Sequence, residues 1–144
     1  MNFKKLLYLS LFLVSVTNCT NAEQVEVGKC SLTVENELAY YENKLYSGTC
    51  NTLYADSLLW RTTTYKRGLV VKQLGYYLPE SQLEYIGNKK NGHIHGDFEG
   101  FHKNGKIKMQ GNFIKGYRDG NWSYYNEEGE IDSTITYKKG VEIN

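Results

Sequence analysis

The feature that most constrains the fold is an internal repeat with a spacing of 24 residues. Four segments align without gaps, at 57–68, 81–92, 105–116 and 129–140. Each segment closes on a glycine, and these are Gly68, Gly92, Gly116 and Gly140. Self-similarity at a fixed period is typical of proteins that stack one supersecondary unit on the next. We therefore divide the chain into four repeats, 48–71, 72–95, 96–119 and 120–143.

Apolar residues recur at three further positions of the repeat. These columns are Leu59, Leu83, Ile107 and Ile131; Cys50, Leu74, Phe98 and Trp122; and Leu53, Tyr77, Phe101 and Tyr125. Within 106–113, apolar and polar residues alternate, as in a strand with one apolar and one polar face. Asn104-Gly105 predicts a tight hairpin turn in which both residues have positive φ, and the closing glycines predict a second turn. The sequence therefore predicts an all-β fold, an elongated single antiparallel sheet of stacked β-hairpins.

The third repeat resembles a known repeat family. Residues Met109–Gly120, MQGNFIKGYRDG, resemble the MORN pattern Tyr-x-Gly-x-aromatic-x-x-Gly-x-x-x-Gly, and Tyr85–Gly96 matches except for Lys89 in place of the aromatic residue. The outer repeats depart further, with Thr63 and Ile135 where the pattern has its first glycine. The longer spacing resembles the variant MORN repeats of bacterial YwqK-type proteins over about 36–143. The resemblance implies a MORN-like hairpin scaffold and, since YwqK-type proteins are described as antitoxins, a role against a toxin.

The first 22 residues are typical of an export signal. Two lysines precede an apolar run from Leu6 to Val16, which is too short to span a bilayer, since spanning needs about 20 apolar residues. Two cleavage sites remain open. Val16–Cys19 resembles a bacterial lipobox, which would make Cys19 an acylated N-terminus, whereas cleavage after Ala22 would release an unlipidated chain. Either way we expect an exported protein of the cell envelope, with 23–47 as an N-terminal cap on the repeats.

Cysteine usage is consistent with export. Cys30 and Cys50 remain after either cleavage, and a disulfide between them would close a loop of about 20 residues, worth roughly 3 kcal/mol in the chain-entropy model. The alternative is that Cys50 is a small buried apolar residue, since it stands in one of the apolar columns.

Charge and motifs exclude several classes of function. The chain has 17 basic and 16 acidic side chains, so clustered phosphate neutralisation, and with it nucleic-acid binding, is not expected. His93 and His95 would share one face of a strand, and His102 follows, but no Cys or clear third ligand is near, and His95 falls at a polar turn position of the repeat, so we predict no metal site. No nucleophile elbow, paired carboxylate column or phosphate-binding loop is present. We predict a non-enzymatic protein that needs no cofactor and has no catalytic residues.

Two candidate surfaces follow from the repeat columns. The first is an aromatic face, which is also the expected core: Tyr85, Phe98, Phe101, Phe113, Trp122, Tyr125 and Tyr137. The second is a basic rim at the second turns: Lys66, Arg67, Lys90, Lys115, Lys138 and Lys139. The rim would suit anionic lipid headgroups or an acidic partner protein, or it could serve solubility and protection of the sheet edge.

These observations predict a protein-binding or scaffolding module at the bacterial cell envelope, held to the membrane through a lipid on Cys19. One alternative is an antitoxin or immunity protein whose partner is a toxin. A second alternative is a binder of anionic lipid surfaces through the basic rim.

Overall fold

A computed structural model of the chain describes residues 17–21, 24–29, 32–54 and 58–143, with the backbone alone described before residue 32. The described residues are all-β. Each repeat contributes two long strands joined by a hairpin loop. The eight strands are β6 (Gly48–Tyr54), β7 (Leu58–Lys66), β8 (Leu69–Tyr77), β9 (Gln82–Lys90), β10 (His93–Phe101), β11 (Ile107–Ile114), β12 (Tyr117–Tyr125) and β13 (Ile131–Lys138). All of them pair antiparallel with their neighbours in sequence, as the period predicted.

Three more strands extend this sheet at its two ends. β14 (Val141–Ile143) pairs with β13, and at the other end β1 (Thr17–Asn21) pairs with β6 and with β2 (Gln24–Lys29). The spatial order is therefore β14-β13-β12-β11-β10-β9-β8-β7-β6-β1-β2, an eleven-stranded sheet within the described residues. Residues 1–16 of the predicted signal peptide lie outside the described residues. The described residues contain no helix long and apolar enough to cross a membrane.

The region predicted as a cap divides into two parts. Gln24–Lys29 belongs to the main sheet, whereas β3 (Thr33–Glu35), β4 (Leu38–Tyr41) and β5 (Lys44–Leu45) form a separate three-stranded sheet. This small sheet is attached to the first repeat at its turn, because Ala39 N–H donates to the Gly68 carbonyl at 2.8 Å and Gly68 N–H donates to the Tyr46 carbonyl at 2.7 Å. Ala39, Tyr46 and Cys50 form a buried cluster at this junction.

The tight turns are at the closing glycines. Arg67-Gly68, Asn91-Gly92, Lys115-Gly116 and Lys139-Gly140 have positive φ at both residues, with 51–53° at the first and 75–87° at the second. This is the geometry of a type I′ turn, whose twist matches that of the flanking strands.

The hairpin predicted at Asn104-Gly105 is present, because β10 pairs antiparallel with β11, but the prediction of positive φ at both residues is wrong. His102 N–H donates to the Lys106 carbonyl at 2.8 Å, which leaves a three-residue loop, 103–105, in which Gly105 alone has positive φ. Gly105 N–H donates to the His102 carbonyl at 2.9 Å. This is a type I turn followed by a left-handed residue, the usual three-residue hairpin. The Asn104 side chain accepts from Lys106 N–H at 3.0 Å, so the asparagine stabilises the loop through its amide instead of through positive φ.

Hydrogen bonds between successive repeats join the connections at both ends of the strands. We call the side with the tight turns the tight-turn edge and the side with the hairpin loops the loop edge. At the tight-turn edge, the N–H of Gly116 donates to the Ile94 carbonyl and that of Gly140 to the Arg118 carbonyl, each 22 residues earlier. At the loop edge, Asn104 Nδ2 donates to the Glu127 carbonyl at 2.8 Å. Each repeat is therefore positioned by its neighbour, as expected of a repeat array.

Candidate functional surfaces of the sheet

Five of the seven predicted aromatic residues form one continuous cluster on one face of the sheet. Ring centroids are 6.0 Å apart for Tyr85 and Phe98, 5.4 Å for Phe98 and Phe113, and 4.9 Å for Phe113 and Trp122. Tyr137 extends the cluster, with its ring 6.4 Å from that of Trp122. Most of these contacts are edge-to-face, the arrangement that the ring quadrupole favours. We call these five residues the aromatic face.

Glycines on neighbouring strands make room for these rings. A Cβ built on Gly111 would lie 2.3 Å from the Trp122 ring, and one built on Gly75 would lie 2.1 Å from the Tyr85 ring. Trp122 is 0% exposed, and its indole N–H donates to the Asn112 carbonyl at 3.2 Å. The other four residues of the aromatic face stay half-buried. Trp122 is therefore core, and the surrounding rings are both core and surface.

Phe101 and Tyr125 do not join this cluster. Phe101 is paired with Ile107 and Tyr125 with Ile131, next to the hairpin loops. The Tyr125 hydroxyl accepts a hydrogen bond from Gln110 Nε2 at 2.7 Å. The columns predicted at Phe101 and Ile107 thus pair with each other in the first, third and fourth repeats, whereas in the second repeat Tyr77 pairs with Gln82. Sequence periodicity alone did not show this pairing.

An arginine that the sequence analysis did not single out sits in the aromatic face. Arg118 places its guanidinium 4.6 Å from the Trp122 ring centroid and 5.4 Å from that of Tyr137. Its Nη1 donates to the Tyr124 hydroxyl at 3.0 Å. Burial, followed by the hydrogen bond with Tyr137, raises the pKa of Tyr124 to about 12, so this phenol is neutral at physiological pH. Alternation along the strand puts Arg118, four residues before Trp122, on the same face, but the repeat does not mark it, because the equivalent residues are Val70, Ile94 and Glu142.

The six residues of the predicted basic rim are all exposed, and they lie at or beside the tight turns along one edge of the sheet. At three of the tight turns, the backbone N–H of the first turn residue donates to a side chain 20 residues earlier in the chain. Arg67 N–H donates to Ser47 Oγ at 2.8 Å, Lys115 N–H to His95 Nδ1 at 3.3 Å, and Lys139 N–H to Asp119 Oδ2 at 3.2 Å. The rim is therefore held in a fixed arrangement.

The histidines have structural contacts within this stacking. His95 accepts from the rim turn, and His102 Nε2 lies 2.8 Å from the Tyr125 carbonyl, on the next repeat. Within 32–54 and 58–143, no group of three His, Cys, Asp or Glu side chains could hold a metal ion.

The three cysteines are described to different extents. Cys50 is 3% exposed in the cluster with Ala39 and Tyr46, as the small-apolar interpretation expects. Cys30 lies outside the described residues, and of Cys19 only the backbone is described, in register with Cys50 on the neighbouring strand. The Cys30–Cys50 disulfide and the lipidation of Cys19 therefore stay predictions.

Comparison with protein-family models finds no match, and comparison with curated proteins finds no relative. The resemblance to MORN repeats and YwqK-type proteins accordingly stays a prediction, and function is argued from the surfaces.

Proposed function

We propose that this chain is a non-enzymatic binding module of the bacterial cell envelope and that its partner is another protein, held against the aromatic face. The observation that supports the proposal is the single-layer architecture. Among the described apolar side chains, only Ala39, Tyr46, Cys50 and Trp122 are buried. Tyr85, Phe98, Phe113 and Tyr137 remain half-buried, and no other described element covers them.

Such a face has the chemistry of a protein-binding surface. Contiguous exposed apolar patches mark interaction sites, and aromatic side chains with arginine are enriched among the residues that dominate binding energy. Arg118 among Trp122, Tyr124 and Tyr137 fits that composition. Since the rings are already packed against each other, they lose little side-chain entropy on binding.

A photo-crosslinking amino acid placed in the chain in bacterial cells tests this proposal. Tyr137 carries the crosslinker on the aromatic face. Thr134 is the matched control, because it is exposed on the same strand and, three residues from Tyr137, points to the opposite face of the sheet. We expect one discrete protein adduct from position 137 and none from position 134. Equal adduct patterns from both positions, or none from 137, would contradict a protein partner on this face.

The envelope location is part of the proposal and has its own test. After expression of the full chain, the intact mass should begin at Cys19 with acyl chains added. A mass that begins at Glu23 would replace the lipid anchor with a soluble exported binder, and a mass that begins at Met1 would contradict export. If the crosslinked partner proves to be a toxin, the module is an immunity protein, the alternative that the YwqK resemblance implies.

A second candidate function, binding of anionic lipid surfaces, is supported by backbone conformation at the rim. Left-handed residues other than glycine cost roughly 1–2 kcal/mol, and asparagine bears this conformation best. Only Asn91 follows that preference, while Arg67, Lys115 and Lys139 hold basic side chains at φ of 51–53°. Strain retained at a surface position is a reason to look for a function there.

Asparagine substitution separates charge from structure at these three turns. The variant Arg67→Asn, Lys115→Asn and Lys139→Asn removes three charges while favouring the turn conformation. Each basic residue near an anionic membrane contributes about 1 kcal/mol to binding. We therefore expect the affinity of the variant for phosphatidylglycerol vesicles, measured by sedimentation, to be about 100-fold lower. Binding that is unchanged in the variant, or insensitive to salt, would contradict the proposal.

A further inference from the structure

The face of the sheet opposite the aromatic rings contains a concave site of about 320 Å³ across β10, β11 and β12. Its backbone floor includes Phe98 and Gly111, whose neighbours in the chain point to this side because side chains alternate along a strand. We call this site the polar trough and define it by its six polar side chains. They are Asp97, Glu99, Gln110, Asn112, Asn121 and Ser123.

These side chains form cross-strand rows. Glu99 is paired with Gln110, which is paired in turn with Ser123, and Asp97 is paired with Asn112. Directly opposed side chains lie about 5 Å apart, so the row of Glu99, Gln110 and Ser123 presents a polar group at nearly equal steps across three strands. A spacing of that size is close to the length of one pyranose ring in an extended oligosaccharide. The second row continues from Asn112 to Asp119 on β12, outside the trough.

Two of the six trough side chains are bonded to neighbours. Asn121 Oδ1 accepts from Thr136 at 2.8 Å, and Gln110 Nε2 donates to the Tyr125 hydroxyl at 2.7 Å, much as Thr62 donates to Asn51 Oδ1 at 2.8 Å elsewhere on the polar face. By contrast, the side chains of Asp97, Asn112 and Ser123 make no hydrogen bond to another described side chain. They therefore offer their donors and acceptors to whatever occupies the trough.

The chemistry of the trough selects a class of ligand. Amides supply paired donors and acceptors, carboxylates accept two bonds, and a hydroxyl does both, which matches vicinal sugar hydroxyls. Asp97 and Glu99 disfavour phosphate, sulfate or uronate groups through like-charge repulsion. At the border, Gln110 Nε2 bonds the Tyr125 hydroxyl at 2.7 Å, which fixes an aromatic ring beside the row.

We propose that the polar trough binds a neutral, extended oligosaccharide, with successive sugar rings lying across β10, β11 and β12. The site is separate from the aromatic face, so a protein could be held on one side of the sheet while a glycan is held on the other. In this arrangement Gln110 and Asn112 bond the sugar hydroxyls, and Tyr125 stacks on a ring at the border. The inference does not depend on the protein partner or on the lipid anchor.

Titration calorimetry and amide NMR shifts of the mature protein test the proposal, with β-1,4-linked N-acetylglucosamine trimer and cellotriose as probes. We expect dissociation constants on the order of a millimolar or tighter and shifts confined to the trough strands. Maltotriose, which is neutral but curved, and sialyllactose, which is anionic, should bind at least 10-fold more weakly.

Variants locate the binding. Asn112→Ala should weaken binding at least 10-fold, and Gln110→Ala should do the same while also releasing Tyr125. Gln82→Ala is the matched control, because Gln82 is exposed on β9 outside the trough. Unchanged NMR fold signatures in Asn112→Ala would exclude unfolding as the cause. The proposal is overturned if neither extended probe binds, if maltotriose or sialyllactose binds equally well, or if Gln82→Ala weakens binding as much as Asn112→Ala.

Discussion

The first and last repeats fill the same apolar column with side chains of very different size. In the last repeat, the core column holds Trp122, and the neighbouring strand supplies Gly111 beneath the ring. In the first repeat, the same column holds Cys50, which is paired with Thr63, and both are buried. Within its own hairpin Trp122 is paired with Ile135, so the last repeat fills with two large side chains the position that the first repeat fills with two small ones.

The two regions also differ in what covers the core column. Cys50 is covered by Ala39 and Tyr46, which connect the small three-stranded sheet to the first repeat. Trp122 is covered by other rings of its own sheet and by Arg118. The first repeat thus gains a second layer, whereas the later repeats present their covering rings to the surroundings. That difference is why the candidate binding surface lies in the later repeats.

The largest expected effect is the loss of the buried ring. Trp122→Ala should lower the free energy of unfolding by about 3–5 kcal/mol, because it removes a fully buried side chain and leaves a cavity. Urea unfolding followed by circular dichroism measures this change. Trp60→Ala is the matched control, since Trp60 is 42% exposed, and it should cost much less. Equal losses in the two variants would contradict the assignment of Trp122 as the core of the later repeats.

The next effect tests the glycine beneath the ring. Gly111→Ala should cost about 1–3 kcal/mol, because the added methyl group meets an indole that is fully buried and unable to move away. Gly75→Ala makes an equally close contact with the Tyr85 ring, but Tyr85 is half-buried and can swing outward. We therefore expect a smaller cost at Gly75, measured by the same unfolding experiment. The reverse order would mean that ring mobility does not decide the cost.

Much of the fold could be predicted from the sequence because the repeat multiplies each weak signal. Four glycines in one column predicted four turns, and all four are turns. What periodicity could not show is which turn is tight. Asn104-Gly105 has the preferred type I′ sequence, yet it lies in a three-residue loop with positive φ at Gly105 alone, and the Asn104 side chain bonds to the Glu127 carbonyl of the next repeat. Tertiary contacts overrode a local preference.

The candidate surfaces were predicted less completely, for a related reason. A column identifies residues at equivalent positions, but it does not identify which column pairs with which across a hairpin. Phe101 and Tyr125 were therefore grouped with Phe98 and Trp122, although they pair with Ile107 and Ile131 near the loops. Arg118 was overlooked because charge at a core-facing position has no periodic signature.

A smaller effect is expected at the junction of the two sheets. The Tyr46 hydroxyl donates to the Thr49 carbonyl at 3.1 Å, and burial raises the pKa of this phenol. Tyr46→Phe should therefore cost about 1 kcal/mol, the usual contribution of one hydrogen bond. Tyr41→Phe serves as the control, because Tyr41 is 40% exposed and should change stability little. A Tyr46→Phe variant as stable as the wild type would show that the hydroxyl contributes nothing to the junction.

The smallest expected effect is at the tight turns of the rim. Of these four turns, only Asn91-Gly92 has the preferred residue, asparagine, at its first position. Lys115→Asn should raise the free energy of unfolding by about 0.5–1 kcal/mol, because asparagine bears positive φ better than lysine does. Asn91→Lys is the reciprocal variant and should lower it by a similar amount. Urea midpoints at high and low salt separate conformation from charge, since a change in charge repulsion along the rim is screened and a change in turn strain is not. If the two variants shift stability only at low salt, then charge rather than backbone conformation sets the stability of these turns. Shifts in the same direction would contradict both explanations, and in either case the strain argument for a functional rim loses its basis.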